Sequence, residues 1–573
     1  MKFNMYYLQA HKEQVYKYSS IIFAILFANL LFYWLSTRTE PISDDWTYIH
    51  NNFSVEFLIA RFVIWSQRII IEIPLFSALR APYILNLAFC ALLYPVFAIT
   101  LAKLLKLHIF KSFFVILPFV AFQSLLENEG AGVVTTHFNY LLPLITAMWS
   151  VVILRSNKVG VFKGCLLLLF TIFSTSNEML AVTFMLILPV LYFYDRKHRN
   201  WYITVIAISV FHLGIFFLSG ANTVRACTDG LTSFTDFDKF SLFYKLYQGT
   251  VTTVFYYTTQ LNFYSLFFIF TVCYCYFKEQ KHALRTSVVI TVISSVVLYI
   301  YGFINDTHTS MILNYPISYM VEITTNKATA LMIFSVVIIG ILLCMLLKLK
   351  CNYQIKIIVL SLLLAAFAIR MTLAFSPTIF FSRTRTFFIS NLLILLASCY
   401  LLIRYDLFGK LQTKAVILGL GALAMSYQTL TMTPKVRLPL TYSSSYVYNF
   451  AKCVIKYKAP LKYADIATSV NLFTQNSSIT YSLNSWMAYV SFREKEILKS
   501  RQLPLLKNIF YHFEDDGDKQ NLVIPIIQLD LLYPDFLKNK GMDRYNDFNE
   551  EIIITGELSS IETEENIVKE QLE

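Results

Sequence analysis

The chain has 573 residues, 56% of them hydrophobic and 15% charged, with a mean hydropathy of +0.56. A soluble protein carries about 25% charged residues, so this composition excludes a soluble enzyme and indicates a polytopic membrane protein. The net charge of +12 does not indicate nucleic-acid binding, because the basic residues fall in short clusters between apolar runs, as in cytoplasmic loops.

Apolar runs of about 20 residues predict about 13 membrane helices. They lie near residues 19–36, 83–105, 109–126, 138–154, 161–175, 179–194, 201–219, 252–277, 286–304, 328–348, 354–375, 386–404 and 413–432. The first, "SSIIFAILFANLLFYWLS", lacks a small-residue cleavage site and reads as a retained helix, not a signal peptide. Lys2, Lys12 and Lys17 precede it and place the N-terminus in the cytoplasm.

Threading the helices from that start makes every predicted cytoplasmic loop basic, from "AKLLKLHIFK" to "RYDLFGKLQTK". The opposite set, including "ENEGAGVVTTHFN", "STSNE" and "SGANTVRACTDG", is neutral or acidic on balance; "SPTIFFSRTRTF" is the exception. An odd helix count puts the segment after residue 432 outside as well. That segment, 433–573, is less hydrophobic and reads as a small extracytoplasmic α/β domain whose acidic end has the composition of a disordered tail.

The first outer loop, "TRTEPISDDWTYIH", carries adjacent carboxylates, Asp44 and Asp45. One reading makes them acids in the first turn of a short helix capped by Ser43. The other makes one of them a general base. Adjacent side chains on a helix diverge by about 100°, so the two would hold different roles, one facing substrate and the other orienting it, holding a cation or capping the backbone. The following stretch, Phe57 to Leu79, places Arg61, Arg68 and Glu72 on one helical face. It predicts an amphipathic interfacial helix, with Arg68 and Glu72 paired at i, i+4.

Further along the outer face, Glu127, Glu129, His137 and Asn139 lie between two apolar runs, with Gly130 and Gly132 suited to a tight turn. Asn177 and Glu178 separate two runs with almost no loop, which places an ionisable group at the membrane boundary. Asn222 and Arg225 follow a helix end, and Arg383 and Arg385 precede a helix start. Outer-face arginines either snorkel to headgroups or capture anions such as phosphate. Six of the nine cysteines, Cys90, Cys165, Cys273, Cys275, Cys344 and Cys399, lie in or beside apolar runs. They read as small hydrophobes, and no disulfide framework or zinc spacing is expected.

Carboxylates, arginines and amides on one face suit glycosyl transfer from a polyprenyl-phosphate sugar. The acceptor hydroxyl needs a base, and phosphate leaves readily without a strong acid.

The motifs "ISDDW", "THFNYLLPL", "SNEML", "SGANTVRA" and "SRTRTF" resemble the GT-C class of polytopic glycosyltransferases. More narrowly, they are similar to the uncharacterised bacterial membrane family grouped with that class and to O-antigen glucosyltransferases. The resemblance implies an all-α polytopic membrane protein, with 1–432 as the transmembrane domain and an interfacial helix near 57–79. It also implies a bacterial inner-membrane location, an extracytoplasmic active site, a polyprenyl-phosphate sugar donor and a glycan or lipid acceptor. It carries the base to Asp44 or Asp45, with Asp44 favoured, and makes Glu178, Asn222 and Arg225 site residues. The outer-face reading adds Asn177, Arg383, Arg385, His137, Asn139 and Glu129. Metal use, by magnesium or manganese, stays open. The chain reads Gly220-Ala221-Asn222 where the similar pattern has Pro-Gly-Asn. The competing functions are a surface-glycan polymerase or ligase, and a transporter or flippase for which Arg370 is the nearest intramembrane charge.

Overall fold

The structure, a computed structural model, describes residues 41, 44–50, 54–64, 66–106, 132–218, 221–233, 237, 240–259, 262–279, 291–298, 326–376, 384–405, 407, 411–431, 512–516, 519–525 and 551–555. The predicted helices 19–36 and 109–126 lie outside these residues. Two compact units divide the chain. The first takes residues up to Trp46, Ile70–Phe216 and Lys239–Leu438, and the second takes Thr47–Ile69, Phe217–Asp238 and Pro439–Glu573.

The first unit is helical. After the short α1 (Asp44–His50), α2 (Val55–Ile64) and α3 (Ile69–Leu79) comes α4 (Tyr83–Leu105). One turn of α5 (Val133–Thr136) passes through a π-helical turn (His137–Leu141) into α6 (Leu142–Leu154). Then follow α7 (Val161–Thr175), α8 (Glu178–Tyr194), α9 (Arg199–Leu218), α10 (Ala221–Ser233), α11 (Leu242–Thr258) and α12 (Phe263–Glu279). The last four are α13 (Asn326–Lys348), α14 (Tyr353–Thr372), α15 (Phe388–Arg404) and α16 (Leu411–Thr431). Of these, α2 and α10 belong to the second unit.

Helix α4 shows what solvent the first unit is built for. Leu87, Cys90, Tyr94, Phe97 and Leu101 are buried on one side, while Leu85, Phe89, Leu92, Val96 and Ile99 form an exposed stripe on the other. A stripe of that kind is costly in water and neutral in lipid. Among the described residues, four helices are long and apolar enough to cross a membrane: Tyr83–Leu105, Val133–Leu154, Arg199–Leu218 and Tyr353–Phe375. The central post is α15, buried on nearly every side. Its Ser390 Oγ donates to the Ala366 carbonyl of α14 at 2.9 Å, so the two helices meet closely.

Two expected helices are broken. The span near 252–277 is the pair α11 and α12, bent by 72°. Asn262 starts α12 afresh: its Oδ1 accepts the N–H groups of Tyr264 and Ser265, both at 3.0 Å, and such a cap competes with helix continuation. The interfacial helix near 57–79 is likewise two helices, α2 and α3. Ser66 Oγ accepts the Arg68 N–H at 3.2 Å in the break. Arg68 therefore immediately precedes α3, while Arg61 and Glu72 are both buried rather than on a solvated face.

In the second unit α2 packs against α10. Arg61 donates to the Tyr48 hydroxyl at 3.2 Å and lies over the Tyr48 ring. Cys227 on α10 is disulfide-bonded, a bond that the apolar placement of the other cysteines did not suggest. Within 433–573 the described residues are three strands, β1 (His512–Asp516), β2 (Lys519–Pro525) and β3 (Glu551–Thr555), in an antiparallel sheet of order β1-β2-β3. Any helices of an α/β domain there lie outside the described residues.

Candidate functional site

The adjacent aspartates divide sharply. Asp45 is 0% exposed. Its Oδ2 accepts the Val134 N–H at 2.8 Å and the Tyr83 hydroxyl at 2.9 Å, and its Oδ1 accepts the Thr135 N–H at 2.7 Å. Those N–H groups belong to the first turn of α5, which has no intrahelical acceptors for them. Asp44 and Asp45 do stand in the first turn of their own short helix, and Asp45 in addition caps a helix about 90 residues away. Asp44, one residue earlier, is half-exposed.

Gly132 makes the clamp fit. It has φ of +91°, and a Cβ there would come within 2.5 Å of Asp45 Cγ and Oδ1. Only glycine adopts that conformation readily and leaves the carboxylate room. Burial pushes the Asp45 carboxyl up to about 6, outweighing the hydrogen bonds that favour its charge.

The π-helical turn carries the clamp toward α8. Asn139 Nδ2 donates to the Thr135 carbonyl at 2.9 Å. Asn177 Nδ2 donates to the Asn139 carbonyl at 2.8 Å. The Oδ1 of Asn177 also accepts the Met179 N–H at 3.0 Å, which starts α8. Glu178, the first residue of α8, is half-buried beside it. Asp45, Asn139 and Asn177 are therefore joined through main chain into one polar layer. An extra residue in a helical turn re-aims side chains, and such turns recur at functional sites.

His137 belongs to this layer but faces inward. It is buried, with Nδ1 2.7 Å from the Val133 carbonyl and Nε2 3.1 Å from the Tyr94 hydroxyl. A carbonyl only accepts, so Nδ1 carries the proton and Nε2 accepts from Tyr94. The imidazole is then a neutral strut between α5 and α4.

The other expected site residues stand on elements of their own, or lie outside the described residues. Glu129 and Arg383 lie outside the described residues, and Arg385 stands on the one-turn helix Thr384–Phe387. Asn222 and Arg225 are on α10 in the second unit. There Arg225 Nε is 3.6 Å from Asp229 Oδ2, an i, i+4 pair whose carboxyl is raised chiefly by burial and lowered by Arg225.

Tyr83 and Tyr94 carry no signal in the sequence, since nothing local marks which tyrosine of a helix meets a distant loop. Arg370 had a signal, as a charge within an apolar run. It is 1% exposed, its Nη1 donates to Thr386 Oγ1, and its guanidinium lies over the Phe387 ring at 3.5 Å. Among the described residues no carboxylate pairs with it, and no three His, Cys, Asp or Glu side chains gather as metal ligands. Compared with known proteins, the chain matches no family model, no curated protein and no solved structure.

Proposed function

We propose that this protein is a membrane glycosyltransferase of GT-C type, transferring a sugar from a polyprenyl-phosphate donor to an extracytoplasmic glycan or lipid acceptor. The observation that carries the reading is the division of labour at "ISDDW". Asp45 is fully buried with both oxygens in a clamp, whereas Asp44 is half-exposed and is the carboxylate that an acceptor hydroxyl can reach. Asp44 removes the proton of the acceptor hydroxyl as that oxygen bonds to the anomeric carbon. The carbon–oxygen bond to phosphate breaks, the phosphate leaves with the electron pair, and the proton ends on Asp44. The half-buried Asn139 and Glu178 offer hydrogen bonds to sugar hydroxyls from the same layer, and the buried Asn177 holds the Asn139 main chain in place.

The topology we propose keeps about 13 spans, with the clamp loop and the 433–573 domain outside the cytoplasm. The alternation of basic loops supports it. So does the disulfide at Cys227, because disulfides persist in oxidising compartments.

Asp44→Asn and Asp45→Asn test the assignment. With membrane insertion confirmed, Asp44→Asn is expected to lower transfer about 100-fold or more, the usual contribution of a positioned base. Surface glycan analysed by mass spectrometry reads the loss, and wild-type glycan in cells carrying Asp44→Asn would remove Asp44 from the reaction. A second reading, a lipid transporter, draws on the 72° break between α11 and α12 and on the buried Arg370, features shared with transporters. Reconstituted protein that moves lipid across vesicles, with transport surviving Asp44→Asn, would favour it.

A further inference from the structure

We propose that Arg370, with the apolar cavity beside it, binds an anionic lipid, the phosphate at the guanidinium and the hydrocarbon chain in the cavity. The cavity has a volume of about 640 Å³ and is walled by α11, α12, α13, α14, α15 and segment 291–298, with Thr253, Phe268, Leu298, Leu342 and Ile394 among its lining. That size lies within the range of small-molecule sites, about 300–1,000 Å³. Two of its lining residues, Ala366 and Tyr257, lead to the charge. Ala366 is one turn before Arg370 on α14, and Tyr257 on α11 lies within electrostatic range of the guanidinium.

Arg370 has spare capacity for an anion. Among the described residues its Nε is buried with no hydrogen-bond partner, and the side chains that Nη1 and the guanidinium face do meet, Thr386 and the Phe387 ring, are both neutral. A buried charge without a counter-charge is costly, and a phosphate would supply both the charge and an acceptor in the bidentate manner of guanidinium. Free phosphate would leave the cavity empty, and a neutral lipid would leave the arginine unpaired. An amphiphile with an anionic head answers both.

The inference rests on the glycosyltransferase reading only in its choice of first lipid, polyprenyl monophosphate. Binding is measured without turnover, so the two can fail separately. The delipidated full-length protein would be titrated by native mass spectrometry with polyprenyl monophosphate, the uncharged polyprenol, phosphatidylglycerol and inorganic phosphate. Polyprenyl monophosphate is expected to bind at least about tenfold more tightly than polyprenol or inorganic phosphate, and Arg370→Gln to lose that advantage. Ser361→Phe, which adds bulk at the cavity wall, is expected to weaken the chain-bearing lipid alone. Equal binding of polyprenol, or of inorganic phosphate, overturns the proposal, as does unchanged lipid binding in Ser361→Phe. Should Arg370→Gln fail to fold, the polyprenol comparison and Ser361→Phe decide it on their own. Phosphatidylglycerol binding as well as polyprenyl monophosphate supports the anionic-lipid site while removing it from the donor's path.

Discussion

At the scale of single residues, the clamp makes two measurable statements. The folded Asp45 carboxyl, raised to about 6 from 3.8, holds its proton more tightly than the unfolded chain does. Its contribution to stability is therefore fully present below about pH 4 and lost as pH rises through 6, a difference of about 3 kcal/mol at 1.36 kcal/mol per unit. Thermal unfolding of solubilised protein should show midpoints rising as pH falls from 7 to 5, and Asp45→Asn should flatten that slope. Gly132→Ala places a Cβ at 2.5 Å from the carboxylate and a side chain at φ of +91°. A destabilisation of about 2 kcal/mol or more is expected, read by the same melts, and an unshifted midpoint would show that the clamp yields freely. The pair Asp44-Asp45 was legible in the sequence. Which of them reached solvent was not, because the groups that occupy Asp45 belong to Val134 and Thr135, far away in the chain.

At the scale of elements, helix bounds followed apolar runs closely. The run near 161–175 coincides with α7, and 83–105 with α4. The misses at 57–79 and 252–277 share one cause. Ser66 and Asn262 are short polar side chains that bond nearby N–H groups, and one such residue inside an apolar stretch does not disturb hydropathy averaged over 20 residues. The Asn177 cap is the testable case, since its side chain both starts α8 and holds the Asn139 carbonyl. Asn177→Ala should cost about 1–2 kcal/mol and lower transfer as well. Asn177→Asp keeps the cap acceptor but loses the donor to Asn139, so it should recover stability more than activity. Equal recovery of both would separate Asn139 from the site.

At the scale of the whole molecule, the membrane class was legible from composition, and the exposed stripe on α4 agrees with it. The grouping of Thr47–Ile69 and Phe217–Asp238 with the C-terminal segment was not legible, because hydropathy carries no information about which loops gather. Cys227 offers a check on sidedness. In protein from intact cells, unfolded and alkylated before reduction, Cys227 should stay unmodified while Cys90, Cys273 and Cys399, all free, react. Alkylation of Cys227 without reductant would count against an oxidising location for α10.

The Asp45 clamp also has a history within each newly made chain. A membrane protein emerges from the ribosome N-terminus first, and Thr135 follows Asp45 by 90 residues. For the time it takes to make that length, at about 5–20 residues per second, the aspartate has no helix to cap. Until then the carboxylate has no main-chain N–H partners on that later turn, and an ionised carboxyl without partners is best kept hydrated. The clamp therefore closes only after Val134 and Thr135 have been made and their helical turn has formed, so the loop that carries Asp45 finishes folding later than its place in the chain implies.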